Sequence, residues 1–215
     1  MLTEIIRKKY FIKNINLFRD YIHLRKPTVK ELLWIKLSWF NPGFTASVGY
    51  LLKMIDLYME CNGSILECGT GISTVLGSII AKKKNLEMIS LEHRDDSYQH
   101  MLHTLSELKI NNVNVFKSPL KNHGDFEWYD LDGISPRNVG LVICDGPPWH
   151  TKGGRYGLMP LMMPYFNNGC KILLDDTYRR SENRIISKWN KIVGIDYDIQ
   201  GFPFSFAEIR LKTNS

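Results

Sequence analysis

The chain has 215 residues, 44% hydrophobic and 23% charged, with 28 Lys and Arg against 22 Asp and Glu for a formal charge of +6. That balance excludes a disordered, collagen-like or coiled-coil chain, and the length suits a single core, which keeps growing up to roughly 250 residues before chains divide. The longest apolar runs, residues 158–166 among them, fall short of the roughly 20 residues that span a bilayer.

The charge sits at one end. Residues 1–30 hold eight basic side chains (Arg7, Lys8, Lys9, Lys13, Arg19, Arg25, Lys26 and Lys30) and two acidic ones (Glu4 and Asp20), so the whole excess of +6 lies there. Such an arm suits contact with a peripheral anionic surface. The plainer reading is a solvated amphipathic helix. Charges at Glu4, Arg7, Lys8 and Lys9, with no small-residue cleavage site, argue against a secretory signal, so a cytoplasmic protein is expected. Cys61, Cys68, Cys144 and Cys170 form no C-x-x-C pair and read as small hydrophobes.

Next come two helical segments, 32–37 and 48–58, divided by the breaker Asn41-Pro42-Gly43. From residue 64 short apolar runs alternate with helical stretches: 65–68, 74–83, 88–92, 98–108 and 113–116, then 139–144, 159–166 and 170–174. This rhythm predicts a parallel sheet with helices on both faces. Residues 195–199 and 204–211 are separated only by Gly201-Phe202-Pro203 at the second strand's margin, which demands an antiparallel hairpin. The expected organisation is a basic helical extension over residues 1–45 and an α/β domain over 46–215.

One turn carries the chemistry. The strand ending at Cys68 runs into Gly69-Thr70-Gly71-Ile72-Ser73-Thr74, where glycine permits a sharp turn close to a ligand and Ser73 or Thr74 caps the following helix. Twenty-one residues past Gly71 the next strand ends in Glu92, placed to accept hydrogen bonds from ribose hydroxyls. A carboxylate at the turn itself, Glu67, disfavours a pyrophosphate and suits an ammonium group.

These residues, with Ser90-Leu91-Glu92-His93 and Leu141-Val142-Ile143-Cys144-Asp145-Gly146-Pro147-Pro148, make the chain resemble the class I S-adenosylmethionine-dependent methyltransferases over residues 45–212. More narrowly, the Asp145-Gly146-Pro147-Pro148 motif, Arg155-Tyr156 and Asp175-Asp176-Thr177 look like a bacterial branch related to the catechol O-methyltransferase-like group. The resemblance implies a Rossmann-like, seven-stranded, mostly parallel sheet closed by an antiparallel hairpin. It implies that Glu67 holds the methionine ammonium, that Gly69, Thr70, Gly71, Ser73 and Thr74 form the cofactor loop, and that Glu92 takes the ribose. His93 would lie beside the adenosine, with Ser118 standing where relatives carry an acid for the adenine amino group. The catechol-like branch also implies Mg²⁺ held by Asp145 and Asp176, although Thr177 replaces the expected amide ligand.

Two strand-end acids and three basic side chains remain to be assigned. Asp145 precedes a rigid Gly-Pro-Pro turn at the carboxyl edge of the sheet, where ligands bind in open α/β folds; it reads as a catalytic and cofactor-contacting group, or as a cap of its turn. Asp176 reads as a metal ligand, a general base or a partner of Arg155 or Arg179. His150 is a candidate base. Arg155 and Arg179 are candidate anion clamps for the substrate.

The expected activity is therefore methyl transfer from S-adenosylmethionine to an oxygen of a small-molecule or glycan-like acceptor, with no specific nucleic acid partner. The alternatives are an NAD(P)-dependent oxidoreductase, or a non-catalytic module that binds an anionic partner through its basic arm.

Overall fold

The computed structural model describes residues 2–40 and 45–212, and the expected breaker at Asn41, Pro42 and Gly43 lies outside them. Strands β1 (Ser64–Cys68), β2 (Met88–Glu92), β3 (Asn114–Lys117), β6 (Val139–Cys144), β7 (Phe166–Leu174), β8 (Ile195–Gln200) and β9 (Phe206–Leu211) form one sheet in the order β3-β2-β1-β6-β7-β9-β8. All neighbours pair parallel except β9, which runs antiparallel between β7 and β8. β1 and β2 are buried along their whole length, which is why they read as mainly apolar runs without polar alternation.

Alternate residues of each central strand enter different cores. Ile65, Leu141 and Leu173 join a cluster with the helices α1 (Leu2–Tyr21), α2 (Val29–Ser38), α3 (Val48–Glu60), α4 (Ile72–Lys84) and α5 (Asp95–Glu107). Leu66, Val142 and Ile172 face the other way, against α6 (Leu158–Met162) and α7 (Arg180–Val193). The period-two alternation of strand side chains thus supplies both layers.

The basic arm is more than a solvated helix. Phe11, Ile15 and Phe18 recur at helical spacing on α1, Ile22 follows directly after it, and all four are buried in the first core. α2 opens with Thr28, whose backbone N–H donates to Glu31 Oε2 at 2.7 Å while its hydroxyl accepts from Glu31 N at 3.3 Å, a reciprocal cap. α3 and α4 meet where Gly77 lacks a side chain: a Cβ there would stand 2.6 Å from Tyr58 Cζ.

Three differences from the sequence reading have local causes. The helix expected over 159–166 stops after α6, because Pro164 cannot continue it, and β7 already begins at Phe166. A two-stranded hairpin of β4 (Leu120–Asn122) and β5 (Glu127–Tyr129) was not anticipated. Neither was α7, although its buried Glu182, Ile185, Ile186 and Trp189 follow helical spacing. Among the described residues no helix is long and apolar enough to cross a membrane.

Candidate active site

A cleft of about 570 Å³ opens at the carboxyl ends of β1, β2, β6 and β7. It lies where chain order reverses across the β1–β6 pair, the position at which open α/β sheets bind ligands. An adjoining cavity of about 440 Å³, floored by Gly71, Ile72 and Ser73, shares Thr70, Arg94, Ser97 and Asp145 with it.

The turn after β1 is built by close backbone approach. Gly69 has φ +90°, and a Cβ there would meet Gly146 N at 3.1 Å. Asp145 N and Gly146 N both donate to Cys68 O, at 3.1 and 2.6 Å, so the turns following β1 and β6 are joined directly. Thr70 lines the cleft and donates from its N–H (3.1 Å) and its hydroxyl (2.7 Å) to Glu92 Oε2. Glu92 Oε1 accepts from Arg94 N at 2.9 Å and lies 3.2 Å from His93 Nδ1. Burial alone would raise the Glu92 pKa, but these contacts with His93, Thr70 and Arg94 hold it below its ordinary value.

Glu67 occupies the layer beneath. Its Oε2 accepts from the hydroxyls of Thr74 (2.7 Å) and Ser90 (2.6 Å), and Thr74 also accepts from Gly71 N at 2.9 Å. Glu67 Oε1 is buried and makes no well-formed hydrogen bond, the Ser73 hydroxyl standing near enough only to pull on the carboxyl. Complete burial pushes the Glu67 carboxyl up to about 7, against the pull of the surrounding hydroxyls. Glu67 and Thr74 therefore underlie the loop, whereas Gly69, Thr70, Glu92 and His93 line the cleft itself. Ser118 is not brought to it. The Ser118 hydroxyl donates to Asp130 O, and its side chain is buried behind the β2–β3 edge.

The opposite wall is organised by Arg155, which is 1% exposed. Its Nη1 donates to Asp175 O at 2.7 Å; its Nη2 reaches Asp145 O at 2.6 Å, Asp145 Oδ1 at 3.1 Å and Asp176 Oδ2 at 2.8 Å. Burial opposes its charge, but the neighbouring carboxylates, Asp145 foremost, raise its pKa further. With so many donors spent inside the protein, Arg155 is a tie between strand ends and not the substrate clamp expected from sequence. Arg179 pairs with Asp176 at 2.8 Å and stays partly open to the cleft beside Tyr178.

The Mg²⁺ reading fails on the same geometry. The guanidinium of Arg155 fills the space between the Asp145 and Asp176 carboxylates where a cation would have to sit. No cluster of three or more metal-ligating side chains exists among the described residues. Asp145 keeps 39% of its side chain open to the cleft, yet the crevice strips enough water to raise it to about 6, with Asp176 adding to the rise and Arg155 opposing it. Asp175, deeper and flanked by both carboxylates, is held well above the usual range. Asp176 adopts φ +62°, which aspartate tolerates better than most residues. His150 sits exposed at the rim beside Trp149.

Sequence reasoning missed several lining residues: Lys36 from α2, Arg94 and Ser97 at the start of α5, and Phe204 before β9. Lys36 Nζ donates to Thr45 O (3.1 Å) and Ala46 O (2.9 Å), and burial lowers its pKa. No single-chain spacing announces these contacts, since each comes from a different element.

No protein-family model and no curated protein matches the chain. Solved structures do. A methyltransferase of Podospora anserina with SAH bound is 12% identical with a TM-score of 0.61, covering 93% of this chain and 88% of that one. A precorrin-6y C5,15-methyltransferase of Geobacter metallireducens is 10% identical with a TM-score of 0.57, covering 78% and 90%. An rRNA methylase of Streptococcus thermophilus is 12% identical with a TM-score of 0.53, covering 75% and 95%. The expectation that no nucleic acid is engaged finds no support among neighbours that include an rRNA methylase. What these similarities share with the chain is the architecture: a Rossmann-like, seven-stranded, mostly parallel sheet with a C-terminal antiparallel hairpin, the fold of class I methyltransferases.

Proposed function

We propose that this chain is an S-adenosylmethionine-dependent methyltransferase acting on an oxygen of a small-molecule or glycan-like acceptor. The observation that carries the reading is the pair of strand-end carboxylates around Gly69. Glu92 sits at the cleft lip, held ionised by its hydrogen bonds, and Glu67 lies below it with a buried oxygen that makes no well-formed hydrogen bond. A buried acceptor left so is costly unless a donor arrives, and the ammonium of an amino-acid moiety, directly or through water, is such a donor.

When bound, S-adenosylmethionine supplies the electrophilic methyl carbon. The residues of this chain orient and deprotonate. Glu92 accepts from ribose hydroxyls, while the Gly69–Gly71 backbone permits close approach. Asp145 takes the acceptor proton, because a base near pKa 6 in a partly dry crevice is well matched to neutral pH. Arg155 and Asp176 position that carboxylate, and most of the catalytic gain comes from alignment of acceptor oxygen and methyl carbon. The narrower kinship with the catechol O-methyltransferase-like group rests on Asp145-Gly146-Pro147-Pro148 and Asp175-Asp176, without that group's metal.

Calorimetric titration with S-adenosylhomocysteine, with NAD as control, tests the reading. Saturable binding of the former alone is expected; binding of NAD instead would move the chain to the oxidoreductases.

A further inference from the structure

We propose that the outward face of the α1–α2 pair is a docking surface for an anionic lipid bilayer. The two helices are neighbours: Asn14 Nδ2 donates to Trp34 O at 3.4 Å and to Ser38 Oγ at 3.3 Å. Away from the core, Ile6, Tyr10, Lys13 and Leu17 recur at four-, three- and four-residue spacings on α1. Lys30, Leu33, Trp34 and Leu37 share one side of α2, with Leu33 and Trp34 each three or four residues from Lys30 and Leu37. Both stripes are on the solvent side, where the six apolar side chains are 43% to 58% exposed.

This is unusual for helices that already bury a face. Phe11, Ile15 and Phe18 give α1 its inner stripe, and Leu32 and Ile35 give α2 its own. A helix that is apolar on opposite sides is normally covered on both. Scattered surface hydrophobes need no explanation, but a row of exposed apolar side chains on each of two adjoining helices does.

Charge selects the occupant. The first 30 residues carry the whole positive excess of the chain, and Lys13 and Lys30 lie within the stripes, both exposed. A second copy of the chain docking through the same patch would face lysines with lysines, because an isologous interface meets itself. A nucleic acid would engage the lysines through phosphates and leave six apolar side chains in water. A bilayer rich in anionic headgroups satisfies both. Trp34 and Tyr10 suit the headgroup layer, the aliphatic side chains enter the acyl boundary, and the lysines extend to the phosphates.

The surface is distinct from the cleft, since none of these eight residues lines it. Cofactor binding and lipid binding are therefore separable. The test uses the full chain in a flotation assay with vesicles of phosphatidylcholine alone and of equal parts phosphatidylcholine and phosphatidylserine. Partition into the anionic vesicles at least about tenfold above the neutral ones is expected, falling by about tenfold in Trp34→Ser/Leu37→Ser and in Lys13→Glu/Lys30→Glu. Unchanged thermal melting and S-adenosylhomocysteine binding in both variants would show that the fold persists. The proposal is overturned by failure to bind anionic vesicles, by binding that both double variants retain, or by a dimer that Trp34→Ser/Leu37→Ser dissociates. Tighter binding to a single-stranded RNA than to vesicles, lost in Lys13→Glu/Lys30→Glu alone, would overturn it equally.

Discussion

Arg155 holds Asp145 and Asp176 through the same nitrogen, Nη2, at 3.1 and 2.8 Å, so one buried cation ties the ends of β6 and β7. Removing it leaves Asp145 without its ion-pair partner and Asp176 with Arg179 alone, at 2.8 Å. Arg155→Met is expected to lower unfolding free energy by about 3 kcal/mol, the low end for breaking a buried pair because Asp145 keeps contact with cleft water. Arg155→Lys should recover little, as one ammonium cannot reach all four acceptors. Urea titrations of the two variants check both statements, and a variant as stable as the parent would refute the role.

Glu67 offers a pH signature. Its carboxyl moves from the ordinary 4.5 to about 7 in the fold, so the folded chain holds a proton that the unfolded chain has released. The sign follows: stability falls as pH rises from about 4.5 and levels off above about 7, by about 3 kcal/mol in all. Glu67→Gln should flatten that stretch of the stability profile. Affinity for S-adenosylhomocysteine should also weaken below pH 7 in the parent and lose this dependence in the variant, read by calorimetry across the same range.

Turnover has a different pH marker. Asp145, raised to about 6, must be ionised to accept a proton, so kcat is expected to climb through about pH 6 and plateau. Asp145→Asn should remove the climb together with most of the rate. An Asp145→Asn enzyme with the parental profile would assign the base elsewhere, with exposed His150 the first alternative.

Cofactor and acceptor roles should separate by mutation. Glu92→Ala is expected to weaken S-adenosylhomocysteine by about 1–3 kcal/mol, since it also frees the Thr70 and Arg94 donors that shape the loop. Asp176→Asn, on the far side of the cleft, should leave that binding near normal and lower kcat. Equal losses of binding in both variants would contradict this division.

At Gly77 helix propensity and packing disagree. Alanine is the better helix former by about 1 kcal/mol. Its Cβ would nonetheless press into the Tyr58 ring, and overpacking of this kind costs about 1–3 kcal/mol. Gly77→Ala should therefore melt earlier than the parent despite its propensity advantage. A higher melting temperature would show that α3 yields.

The sheet was readable because β1, β2 and β6 are buried on both faces and spell short, mainly apolar runs ending in Cys68, Glu92 and Cys144. The β4–β5 hairpin was not, since three-residue strands carry too short a pattern to stand out. Within the site, the strand-end carboxylates were visible as residue types in sequence order. Their partners were legible only in part. Pairing of Asp176 with Arg155 or Arg179 was one of the readings, but only the convergence of three chain segments at Asp145, Asp175 and Asp176 makes Arg155 an internal tie. Ser118 illustrates the converse: its position past β3 suggested a ligand contact, but Asp130 O, brought near by β5, takes its hydroxyl.

The close approach of Gly69 to Gly146 limits how this scaffold can change. Because Cys68 O accepts from both Asp145 N and Gly146 N, the turn beneath the expected cofactor and the turn beneath the expected acceptor share one carbonyl. The two cannot be exchanged independently. A replacement for residues 145–150 that carried any side chain at 146 would push on Gly69 and on the Tyr129 hydroxyl, so a change of acceptor specificity attempted there would register as a change in cofactor affinity. Freedom to evolve new acceptors lies instead in Trp149, Tyr178 and Phe204, which meet the cleft from the solvent side with room to vary.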